Sequence, residues 1–133
     1  MGQQQLLLII LGVIIVGIAI AVGLSMFTAQ SIGANKDAIM ADITNMSANA
    51  YQFRIRPVAM GGGGGTTYVG YRIPSALDTT DNAVYTMTVT PWETAATITF
   101  TGTSQQDPLN IATATYGADG RLIPPWVFTA EFQ

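Results

Sequence analysis

The chain contains neither cysteine nor histidine among its 133 residues. Thiolate nucleophiles, disulfides, ordinary zinc sites and imidazole bases are therefore excluded. Eight carboxylates and five cations remain for chemistry, and they are scattered. Asp78 and Asp81 in SALDTTDNA read as turn residues that bond nearby backbone rather than as a cation site. Asp107 and Asp119 read the same way. Glu93, after Pro91-Trp92, is placed at a solvated hairpin end. No nucleophile stands beside a base, and no carboxylate pair sits on a defined scaffold. The expectation is a protein that is not an enzyme, with no metal, cofactor or small-molecule substrate. A formal charge of -3 without clustered cations gives no basis for nucleic-acid binding. Gly61 to Gly65 lack the following lysine and helix of a phosphate loop and read as a flexible loop. Asn45-Met46-Ser47 matches the N-glycosylation tripeptide, which makes Asn45 a candidate glycan acceptor. O-linked sugar on serine or threonine is a further option that no motif locates. The tryptophans, tyrosines and phenylalanines fit core and interface roles.

The elements that would position these residues are dominated by one. Residues 6–24 read LLLIILGVIIVGIAIAVGL, without a charge. These nineteen residues make a helix of about 28 Å, close to the ~30 Å of a hydrocarbon core. A signal peptide fits poorly, because the run is too long and no basic stretch precedes it. Gly12, Gly17, Gly23 and Gly33 would either be tolerated by a membrane helix or allow close approach of neighbouring helices. Gln3, Gln4 and Gln5 precede the run and could lie at a headgroup boundary or contact a neighbour in a bundle.

The apolar character then changes without a break. Ile39, Ile43, Met46, Ala50 and Phe53 are spaced 4, 3, 4 and 3, one stripe of an amphipathic helix. That stripe is predicted to pack on a sheet from the rest of the chain. Pro57 ends the helix. A single helix from about Gln3 to Arg56 would be about 81 Å long, far beyond an ordinary globular helix. The stalk is thus read as 1–56, hydrophobic over 1–33 and amphipathic over 34–56. A β-rich domain occupies 57–133.

Strands are predicted at 68–73, 83–90, 95–101 and 110–116, and within 121–132. Tyr85, Met87 and Val89 alternate with Thr86, Thr88 and Thr90, a half-buried strand. Ile98 and Phe100 share one parity, as do Ala112, Ala114 and Tyr116. Trp126, Phe128, Ala130 and Phe132 are expected on one face, and Pro124 and Pro125 restrict pairing there. The fold class is α+β, a very long N-terminal helix on a small antiparallel sheet. Charged residues are 10% of the chain, against about 25–35% for a usual soluble surface. A dissolved monomer is not the expected end state.

The long helix, its greasy start and the small sheet domain together resemble the type IV pilin superfamily. The matching part is about residues 1–53. The resemblance implies a precursor whose basic leader is removed by a prepilin peptidase. It also implies a stage in the cytoplasmic membrane and extraction by an assembly machinery into an extracellular helical homopolymer serving adhesion or surface attachment. The implied assembly interface is Leu6, Leu7, Leu8, Ile9, Ile10, Leu11, Gly12, Val13, Ile14, Ile15, Val16, Gly17, Ile18, Ile20, Val22, Gly23, Leu24, Met26 and Phe27. Bacterial pilins usually carry a glutamate early in the mature helix, where this chain has Gln5 or Leu7, depending on the cleavage point. The early proline and the C-terminal disulfide of that group are also missing. The GQQQLLLII start more closely resembles archaeal pilins, or bacterial filaments built on that plan, and a leader removed before Met1 is the preferred expectation. The alternatives are a single-span protein with an extracytoplasmic β-domain, a minor pseudopilin of a secretion system and a phage coat. The uninterrupted join between span and amphipathic helix favours the filament.

Overall fold

Nothing in residues 2–55 breaks a helix, and the computed structural model shows one α-helix, α1 (Gly2–Ile55), of 54 residues. The described residues are 2–90 and 96–133. The start of the strand expected at 95–101 and the hairpin position expected for Glu93 lie partly or wholly outside them, as does Met1. The chain divides after Ala34 into two units, 1–34 and 35–133.

The first unit is helix alone. Its two hydroxyl groups near the end of the apolar run turn back onto the helix. Ser25 Oγ donates to Val22 O at 2.9 Å and Thr28 Oγ1 to Leu24 O at 3.0 Å. These side chains therefore need no outside partner in a medium without water.

The second unit is a four-stranded antiparallel sheet with the amphipathic half of α1 packed on it. The strands are β1 (Ala83–Thr90), β2 (Thr97–Ser104), β3 (Ile111–Tyr116) and β4 (Leu122–Phe128), in spatial order β1-β2-β3-β4. Each pairs with the next in sequence, as short connections favour. The register sets Tyr85 opposite Gly102 and Phe100 opposite Ala114. Period-2 alternation turns Tyr85, Ile98, Phe100, Ala112, Ala114 and Tyr116 inward, all buried. Ile39, Ile43, Met46 and Ala50 of α1 are fully buried with them. Gly102 makes this close layer possible, since a Cβ there would lie 2.7 Å from Ile39 Cγ2 and 2.9 Å from Tyr85 Cε1. The outer face is threonine-rich, and Thr99 and Thr115 share a 3.0 Å hydroxyl contact across β2 and β3.

Three sequence expectations are corrected. Residues 68–73 are not a strand. Tyr68 and Tyr71 are both buried, and Tyr71 N donates to Tyr68 O at 3.0 Å in a turn. Two inward aromatics three residues apart suit a turn; alternation would have put them on opposite faces. The last strand stops at Phe128, and Ala130–Phe132 form a 3₁₀ turn that buries Phe132. Ala130 is therefore exposed rather than in line with Trp126 and Phe128, whose rings stack 5.9 Å apart.

Gly61 to Gly65 supply the third. They form an ordered cap on α1 rather than a free loop. A helix end leaves its last carbonyls without partners. Here Gly63 N donates to Phe53 O at 2.9 Å, Gly65 N to Arg54 O at 2.7 Å and Gly64 N to Arg56 O at 2.9 Å. The chain passes so close that a Cβ on Gly63 would stand 1.9 Å from Thr67 O. Glycine is the side chain this return path permits.

Candidate assembly surface

The first candidate surface is the apolar run of α1. Sixteen large apolar side chains between Leu6 and Phe27 are each 52–71% exposed. They are Leu6 to Leu11, Val13 to Val16 and Ile18, then Ile20, Val22, Leu24, Met26 and Phe27. They lie on every side of the helix, because the run has no polar stripe. Gly12, Gly17 and Gly23 have open space where a Cβ would stand, so a neighbouring backbone could approach there. Gln3, Gln4 and Gln5 are helical and exposed. α1 is the one helix among the described residues long and apolar enough to cross a membrane. Burying one such side chain contributes about 1.5–3 kcal/mol relative to water. Sixteen of them amount to tens of kcal/mol on that scale, too much for water to be the resting environment.

Polar contacts in the second unit fasten the helix to the sheet. Asn35 is buried. It donates from Nδ2 to Asn82 O at 3.2 Å and accepts from Ser104 Oγ at 2.7 Å. Lys36 Nζ donates to Phe132 O at 2.6 Å and lies 4.0 Å from the Phe128 ring centre. About two turns further on, Asp42 Oδ2 accepts from the Tyr85 hydroxyl at 2.6 Å and from Thr80 Oγ1 at 3.3 Å. Burial, reinforced by the bond to Asp42, pushes the Tyr85 phenol well above its usual value. Tyr71 donates to Asn49 Oδ1 at 3.0 Å, and burial raises its phenol too. These attachments join residues roughly 22 to 96 positions apart, so local pattern gives no sign of them.

Phe53, the last residue of the predicted stripe, is half-buried and lies against the connecting loop. Its ring lies 5.6 Å from that of Tyr71. Asn45 is exposed on α1, while Ser47 of the same tripeptide is buried and donates to Thr44 O at 2.7 Å. The tripeptide is thus helical, with its hydroxyl already engaged. Asp107 and Asp119 behave as turn residues. Asp107 Oδ1 accepts from Leu109 N and Asp119 Oδ1 from Arg121 N, both at 3.0 Å. Asp78 ends a one-turn helix, α2 (Ser75–Asp78).

Comparison with family models, with curated proteins and with solved structures returned no match. The structure itself establishes a long helix, hydrophobic and then amphipathic, packed over its second half on a four-stranded antiparallel sheet. That plan is compatible with a pilin-type protein and equally with a membrane-anchored one.

Proposed function

We propose that the chain is a non-catalytic structural subunit of a helical surface filament of the type IV pilin kind. One observation carries this reading. The apolar side chains of α1 are exposed on all sides of a helix that continues unbroken into the buried stripe Ile39, Ile43, Met46 and Ala50. A helix built only to anchor a domain needs a lipid-matched span and tolerates a flexible linker after it. A helix built to hold its domain in register within a bundle needs continuity, and α1 has it.

In this reading a lipid bilayer holds the subunit before assembly, since a helix satisfies its own backbone there. The same surface then meets identical surfaces from other copies. Lipid and protein are similarly apolar, so packing rather than dehydration decides the transfer. Gly12, Gly17 and Gly23 favour close helix approach in the bundle. Extraction from lipid calls for an assembly machinery, and a prepilin peptidase would prepare the N-terminus. The filament would stand outside the cell, in adhesion or surface attachment.

The test is electron microscopy of surface appendages from cells producing the chain. A helical fibre with residues 6–27 along its axis is the expected result. Monomers recovered only in detergent, with no fibre, would support a single-span anchor instead.

A further inference from the structure

The second unit has two chemically unlike ends. The stretch of α1 from Asn35 to Ile55 sets them about 30 Å apart. At the end where α1 stops, Ile55, Val58, Met60 and Val69 are exposed, Val58 and Met60 by more than 70%. Such a group of apolar side chains is not held up by disorder. The chain through Val58–Met60 is a 3₁₀ turn, and the following glycines are bonded to the last carbonyls of α1. Arg56 is exposed beside this knob, and Arg54 lies with its guanidinium 5.8 Å from the Tyr68 ring centre. The knob is therefore preorganised and apolar, with Arg54 and Arg56 beside it, while Asp119, the acid near Tyr68, is paired with Arg121 at 3.9 Å.

The opposite end, at the level of Asn35, gathers the β2–β3 connection, the residues before β1 and the C-terminal turn. Gln105 N donates to Asn82 O, and Glu131 N to Asn110 Oδ1. Leu109 stands 71% exposed there, among Asp81, Asp107 and Glu131. Lys36, the nearest helix cation, is engaged by Phe132 O and the Phe128 ring. This end is acidic around an exposed leucine.

We propose that β-domains of neighbouring copies join end to end, the knob at Val58 and Met60 of one copy, with Arg54 and Arg56 beside it, meeting the acidic Leu109 end of the next. The proposal rests on the filament reading and names a second contact within it, outside the apolar run. The two ends of one copy lie beyond a Debye length of about 8 Å, so they do not neutralise each other. Two knobs facing each other would set Arg54 and Arg56 against their own copies, a like-charge arrangement that costs binding energy. Knob to acidic end joins opposite charges and apolar to apolar surface. Such a head-to-tail contact is heterologous, and it propagates an open helical polymer when successive rotations do not close into a ring. Because the knob is held by backbone bonds, little ordering opposes docking.

The chain has no native cysteine, so a cysteine pair reads this contact without background. Val58→Cys combined with Leu109→Cys, oxidised in assembled fibres, is expected to give a ladder of dimers, trimers and longer species on a denaturing gel. Each single variant should stay monomeric on the same gel. Normal fibres that yield only monomers from the double variant overturn the end-to-end contact and leave the filament reading standing. Dimers from Val58→Cys alone overturn it in favour of knob-to-knob pairing. Absence of fibres from the unaltered chain overturns both. Charge reversal gives an independent readout. Arg56→Glu should shorten fibres severalfold, and Arg56→Glu with Asp81→Arg should restore their length. Fibres of unchanged length from Arg56→Glu would overturn the contact.

Discussion

Asp42 holds the helix to the sheet through three donors and no cation, the closest being the Tyr85 hydroxyl at 2.6 Å. A hydrogen bond to a charged group contributes about 1.5–3 kcal/mol when its partner is lost. Tyr85→Phe should therefore lower the stability of the β-domain by that order, measured by thermal unfolding of the detergent-solubilised chain. The same residues set an alkaline limit. Burial raises the phenols of Tyr68, Tyr71 and Tyr85 above the ordinary value of 10.0. A raised folded value means that the unfolded chain loses these protons first. Stability is then intact below about pH 10 and falls as pH rises from there toward the folded values. A melting temperature unchanged between pH 9 and pH 11 would contradict this. Gly63→Ala would force a Cβ to within 1.9 Å of Thr67 O. It should cost about 2–3 kcal/mol, as overpacking does, on the same unfolding measurement. The Asp42–Tyr85 bond spans 43 positions, and the glycine cap depends on a chain reversal. Neither leaves a mark in local sequence, and five glycines in a row resemble a linker.

At the scale of elements, periodicity is legible wherever one face of an element is buried. The stripe at 39, 43, 46 and 50 and the alternation in β1, β2 and β3 follow directly from it. Periodicity misleads where aromatics are buried by loops, as at Tyr68 and Tyr71, or where a chain end is tucked in by a turn, as at Phe132. The apolar run tests the assembly reading most directly. Val16→Asp or Ile20→Asp would set a carboxylate within a dry bundle, at about 2.5–3.5 kcal/mol even in a membrane centre. Either variant should abolish fibres in electron micrographs while leaving the β-domain folded by circular dichroism. Normal fibres would show that this part of α1 is not buried in the assembly.

For the whole molecule, the two units pose opposite problems. Among the described residues, 35–133 bury a core of apolar side chains and leave a few such as Val58, Met60 and Leu109 exposed, whereas residues 2–34 of the helix bury none. The chain is thus complete as a fold over its larger part and incomplete as a surface over the rest. Another phase or other copies must supply what is missing. Asp78→Asn serves as a control on the charged surface. Asp78 lies at a one-turn helix and makes no described side-chain bond, so fibre yield should be unchanged. A marked loss of yield would assign Asp78 a contact with another subunit.

By itself the sequence determined the long helix, its division into a greasy and an amphipathic part, and three of the four strands with their inward faces. These follow from side-chain polarity repeating with the period of a single element, which needs no knowledge of distant neighbours. It also determined, through the unbroken join near Ala34, that a filament subunit was the leading expectation. Only the tertiary structure decided what fastens helix to sheet, how Gly61 to Gly65 close the end of α1, and that Arg54 and Arg56 stand beside the apolar knob while Asp107 and Glu131 stand near Leu109. Those features arise where residues far apart in sequence meet, and the energy of such meetings depends on geometry that only the folded chain sets.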